Sequence, residues 1–197
     1  MTEPRPSQNR GTQRRNRMML LAIFAIFFGS LLLAGVLRFS GWRPAGTKAH
    51  GEMLQPPGDL RAVVPKLADG SDYTWNPRAR LWRIALAPPA DCIEACIKLA
   101  HDLDTVWQLT GKDADHVHVL WIGTPPPAMP RDAALRVLQP SRALRAGLPR
   151  VDEISSNGRR GVPVYVIDPN GFVILRYAPG FDPAGLRADL SRLLKLM

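Results

Sequence analysis

The chain has 197 residues, 46% of them hydrophobic, and a formal net charge of +9. That apolar share excludes wholesale disorder, and the absence of any period of roughly 20–50 residues excludes repeat architectures. The charge distribution argues against a nucleic-acid partner: Arg5, Arg10, Arg14, Arg15 and Arg17 crowd the first 17 residues, Arg38, Arg43 and Lys48 follow an apolar run, and residues 49–197 keep a net charge of only +2.

Residues 1–17 read as a basic tail. Residues 18–37, Met18 to Leu37, form a 20-residue stretch without a charge, in which Ser30 is the one polar side chain. At about 1.5 Å per residue this stretch matches the roughly 30 Å hydrocarbon core of a bilayer, so a transmembrane helix is predicted. The run is longer than the apolar core of a signal peptide, and Arg38-Phe39-Ser40 offers no Ala-x-Ala site. The arginine-rich tail predicts a cytoplasmic N-terminus, a single pass through the inner membrane and a periplasmic domain, with the lipid bilayer as first partner.

Residues 38–60 are rich in Gly and Pro and read as a linker and lead-in, leaving 61–197 as the outer domain. Leu81 to Leu86 has the composition of a strand, stopped by Pro88-Pro89. Ile93 to Thr110 follows with helical periodicity. Ile93, Cys96, Ile97, Ala100, Leu103, Val106 and Trp107 share one face, and Gly111 ends it. Val117 to Ile122 is a second strand and Arg131 to Leu138 a weaker helical stretch. Val164 to Ile167 is a third strand, turned by Asp168-Pro169-Asn170-Gly171 into a fourth, Phe172 to Tyr177. Asp182 and Pro183 open a last helix with Leu186, Leu190, Leu193, Leu194 and Met197 on its apolar face. The first two strands are joined by a helix and so should be parallel. A β-α-β unit, a hairpin and a closing helix make an α/β, thioredoxin-like layout.

Cys92 and Cys96 are the two cysteines of the chain. Four residues apart at a helix start, they lie on one face with Cα atoms about 6 Å apart, within reach of a disulfide. The helix N-terminus favours a thiolate, whereas Asp91 and Glu94 oppose one. A structural bridge is the competing reading, but so small a loop adds little stability. A redox or metal role is therefore expected of the pair.

The segment Trp82 to Cys96 (WRIALAPPADCIEAC) resembles the Sco/SenC family of thioredoxin-like cytochrome c oxidase assembly proteins. His50-Gly51-Glu52-Met53-Leu54-Gln55-Pro56-Pro57 and Tyr165-Val166-Ile167-Asp168-Pro169-Asn170-Gly171 are similar too. The resemblance implies a copper-linked dithiol role, with a respiratory oxidase subunit or another thiol or assembly protein as partner. It also implies Cys92 and Cys96 as ligands of Cu(I), the candidate cofactor. In that family a His before the Tyr-x-x-Asp-Pro strand completes the copper site. Here Asn157-Gly158-Arg159-Arg160-Gly161-Val162-Pro163 has none, so a divergent member with weak Cu(I) binding is expected. Val162-Pro163 instead resembles the cis-proline loop facing the dithiol in thioredoxins and TlpA/ResA-like reductases, which makes Pro163 a third candidate site residue.

Of the remaining histidines, His101 falls on the far helix face and His116 and His118 at the wrong strand end. Nothing in the sequence fixes His50. A general TlpA/ResA-like oxidoreductase and a non-catalytic assembly module stay open as alternatives. No GxSxG, HExxH or phosphate loop points to hydrolysis.

Overall fold

The computed structural model describes residues 10–40, 49–129, 133–154 and 161–196. The chain divides into two compact units, Met1–Thr47 and Lys48–Met197.

Among the described residues the first unit holds one helix, α1 (Arg10–Phe39), which begins two turns before the uncharged run. Its 30 residues correspond to about 45 Å, enough for hydrocarbon core and headgroup layers together. From Gln13 its side chains are almost wholly exposed, among them Phe24, Phe27, Leu32 and Val36. A helix of this length and apolar surface is compatible with a membrane anchor. The hydroxyl of Ser30 donates to the carbonyl of Phe27 at 2.8 Å, so this polar group does not need water.

The second unit is a six-stranded sheet with helices. In chain order it comprises β1 (Glu52–Asp59), β2 (Trp82–Leu86), α2 (Glu94–Gln108), β3 (Val117–Ile122), β4 (Leu135–Leu138), α3 (Arg142–Ala146), β5 (Val164–Ile167), β6 (Phe172–Tyr177) and α4 (Pro183–Leu194). The strand order is β1-β6-β5-β2-β3-β4. β2, β3 and β4 run parallel, while β5 is antiparallel to both β2 and β6, and β1 is antiparallel to β6. The fold is α/β and thioredoxin-like, as the element order predicts.

The period-two alternation of the strands sorts the core into two layers. Trp82, Ile84, Leu86, Val164, Val166 and Tyr177 pack under α2 and α4, with Leu103, Val106, Leu186 and Leu190. Met197, expected on the same face of α4, lies outside the described residues. Ala85, Leu120, Ile122, Tyr165 and Ile167 face the other way, onto Leu60, Tyr73, Leu144 and Leu148. Arg83, wholly buried on β2, is held by polar and ring contacts. Its Nε donates to the Tyr73 hydroxyl at 3.1 Å and its Nη1 to the carbonyls of Leu81 and Asp168. The guanidinium lies 5.2 Å from the Trp75 ring centroid, a cation–π distance.

Two expectations are corrected here. The helical stretch expected at Arg131–Leu138 is strand over Leu135–Leu138, with Arg131 and Asp132 outside the described residues. Ala133 and Ala134 favour a helix locally, but the open edge of β3 offers a hydrogen-bond ladder that begins with Val119 N–H donating to the Ala134 carbonyl. The segment 38–60, read as linker and lead-in, contains β1. This strand pairs with β6 in two pieces, interrupted between Met53 and Gly58. Pro56 and Pro57 fall in the interruption, at the sheet edge, where a missing N–H is tolerated.

Candidate functional site: the disulfide at the end of the sheet

β2 ends at Leu86, and Ala87 to Asp91 carry the chain to Cys92, whose N–H donates to the Pro89 carbonyl at 3.1 Å. The cap residue of α2 is Ile93, which supplies no side-chain acceptor. The first-turn N–H groups of α2 therefore have no side-chain cap. Cys92 and Cys96 are joined as a disulfide, with Cα atoms 5.6 Å apart, close to the separation expected from helical spacing.

The two sulfurs differ in access. Cys96 is completely buried in the layer under α2 and α4, whereas Cys92 is only partly covered against it. A thiol or thiolate from outside therefore meets Cys92 first. The side chain of Ile93, expected on the inward face, is 61% exposed. Its backbone at φ −109°, ψ −81° has not entered the helix, so helical phase fixes its neighbours but not this residue.

Pro163 immediately precedes β5, and Val164 pairs with Leu86. The sheet thus puts Pro163 at the same end as the loop leading to Cys92. Val162 packs against the layer that holds Cys96. The Val162–Pro163 bond is trans, contrary to the sequence expectation; Gln55–Pro56 is the cis bond among the described residues. Trans is the ordinary state of an X–Pro bond by about 0.5–1 kcal/mol, and the resemblance to a cis-proline loop does not override it. Asn157 to Arg160, where a copper-ligand His is missing from the sequence, lie outside the described residues.

A second polar cluster lies at the same sheet end, two strands further across. Asp189 on α4 is 3% exposed. Its Oδ2 accepts from the N–H groups of His50 (2.7 Å) and Gly51 (3.0 Å) and from the Tyr177 hydroxyl (2.8 Å), and its Oδ1 faces His50 Nδ1 and Arg192 Nη1, both at 3.1 Å. Burial pushes the Asp189 carboxyl up, but the bonds from Gly51, Tyr177 and His50 outweigh it and hold the group below its ordinary value. His50, which the sequence leaves unfixed, is therefore tied down. Gly51 and Gly185 allow it: a Cβ on Gly51 would come within 2.7 Å of the Tyr177 ring, and one on Gly185 within 2.9 Å of His50 Cβ. The signal that could have revealed this cluster is an aspartate at the centre of the Leu186–Leu190 apolar face.

The other histidines do not approach the sulfurs. His101 is exposed, and His118 Nδ1 lies 2.9 Å from the Tyr73 hydroxyl on the opposite layer. Among the described residues no three His, Cys, Asp or Glu side chains converge as a metal site.

Residues 82–197 match the family described as transmembrane-like, thioredoxin-like, C-terminal domain. The chain belongs to that family. No curated protein matches it. Among solved structures, the thioredoxin-like unit is similar to BsSco, a member of the Sco family of cytochrome c oxidase assembly proteins. That match has 11% identity and a TM-score of 0.52, covering 75% of this chain and 98% of that one. A SCO1/SenC family lipoprotein from Bacillus anthracis is similar at 15% identity and a TM-score of 0.50, covering 71% and 98%. Peroxiredoxin Q of Xanthomonas campestris matches at 17% identity and a TM-score of 0.45, covering 74% and 96%. At such identities the likeness is one of fold.

Proposed function

We propose that this member of the thioredoxin-like family is a membrane-anchored, Sco-like thiol–disulfide protein that reduces cysteines of a respiratory oxidase during assembly of its copper site. The observation that carries the reading is the asymmetric disulfide, with Cys92 accessible and Cys96 buried at the end of a thioredoxin-like sheet. In the reduced protein the Cys92 thiolate attacks one sulfur of a target disulfide and expels the other as a thiolate. The buried Cys96 thiolate then attacks Cys92 Sγ and expels the second target thiolate. Two electrons pass to the target, and the domain is left as the Cys92–Cys96 disulfide. Pro163 frames the site from β5, and α2 supplies the uncapped N–H groups that favour the thiolates.

The donor set does not favour copper carriage. The site supplies two sulfurs, the described residues add no converging third donor, and His50 Nδ1 is engaged by Asp189. Two soft ligands hold Cu(I) less well than three. The reduced protein should lose Cu(I) to a strong chelator in a competition titration, and whatever it retains should require both cysteines. Stoichiometric retention would establish a copper carrier instead.

The placement of the anchor and the domain is proposed on the same footing: a cytoplasmic tail, α1 across the inner membrane, and the domain in the periplasm. A reporter that works only outside the cytoplasm, fused after Met197, should be active. Activity of a cytoplasm-only reporter at that position would refute the orientation.

A further inference from the structure

Three neighbouring strands end together beside the disulfide. In the register Leu86–Val164–Tyr177, β2 leads out to Cys92, Val162 leads in to β5, and β6 leads out to Phe181. Cys92, Val162 and Phe181 all pack, partly exposed, against the same core layer, and Ile93 stands exposed beside them. Beyond Phe181 opens a cleft of about 420 Å³, walled by Tyr177 and Phe181, whose ring centroids are 5.2 Å apart, and by His50 and Asp182. Glu52 and Arg176 also line it but are bound to one another, and Glu52 is paired with Arg150 as well.

The segments forming this end, 87–95, 161–163 and 178–182, contain Asp91, Glu94 and Asp182 and no basic residue. All three carboxylates are exposed, and among the described residues none is in an ion pair. From β2 to β6 is two inter-strand spacings, about 10 Å, which an extended chain covers in about three residues. We infer that the partner segment bonded to Cys92 runs extended over Val162, with a Lys or Arg about three residues from its cysteine seated at Phe181 and Asp182. The aromatic ring and the carboxylate together suit a cation there. The inference rests on the dithiol reading and names its substrate class.

The test uses the reduced full-length protein in detergent and disulfide-linked dimers of short peptides, each with one cysteine. Each turnover converts one peptide dimer to two thiols and the protein dithiol to its disulfide, so the reaction balances without another reductant. Peptides with Lys three residues from the cysteine, on one side or the other, should react about tenfold faster than those with Glu there. The advantage should shrink with added salt, with Lys moved to six residues, and in Asp182→Asn, which keeps the cap of α4. Equal rates for Lys and Glu peptides would overturn the inference and leave the dithiol reading standing. So would faster reaction of the Glu peptide. No reaction with any peptide would overturn the dithiol reading itself.

Discussion

Asp189→Ala is expected to destabilise the outer domain by about 3–4 kcal/mol in denaturant unfolding, the largest stability effect of any single truncation near the site. The carboxylate collects five polar contacts at the junction of the 49–51 strap, β6 and α4. Removing it leaves the Gly51 N–H and the Tyr177 hydroxyl buried without that acceptor, at about 1–3 kcal/mol each. A loss below about 1 kcal/mol would show that the strap contributes nothing to stability.

The same residue sets part of the acid limb. Its folded pKa lies below the unfolded value, so the stability it provides is present above roughly pH 4 and is lost as pH falls through the folded pKa. Glu52, held low by its hydrogen bond from Arg150, acts in that window too. Asp189→Asn should flatten the limb there without abolishing it. His118 works higher. Burial, with Arg136 and Arg83 nearby, lowers it from 6.5 to about 4. Arg83 Nε donates to the Tyr73 oxygen, so Tyr73 gives its own proton to His118 Nδ1, which fits the neutral ring. The unfolded chain therefore takes up a proton first, and stability falls between about pH 6.5 and 4. Unfolding curves collected at several pH values separate the two windows.

Cys92→Ser should abolish dithiol exchange, whereas Cys96→Ser should stop turnover but leave the first attack. A serine hydroxyl does not ionise near neutral pH, so the accessible position loses its nucleophile and the rate should fall by about a thousandfold or more. With Cys96 replaced, Cys92 still attacks the target, but no buried thiolate displaces it, and a mixed disulfide accumulates. Mass spectrometry of the variants with a target disulfide reads this directly. Accumulation in Cys92→Ser rather than Cys96→Ser would reverse the assigned roles and contradict the burial of Cys96.

Much of this architecture was legible in the sequence because it rests on local periodicity. The uncharged run gave α1, the 3.6-residue pattern gave α2 and α4, and short apolar runs bounded by Pro and Gly gave β2, β3, β5 and β6. The four-residue spacing at a helix start anticipated that Cys92 and Cys96 come within bonding distance, although Cys92 itself precedes α2.

What needed the tertiary structure was whatever depends on a partner distant in sequence. β1 exists because β6 offers its edge, and β4 because β3 does, against the local signals of Pro56–Pro57 and of Ala133–Ala134. Burial decided which sulfur is exposed, and the cap conformation turned Ile93 outward. Asp189 meets His50 across 139 positions of chain. No periodicity encodes such a contact: a buried carboxylate is tolerable only where donors from other elements converge on it, and that convergence exists only once the sheet and α4 have packed.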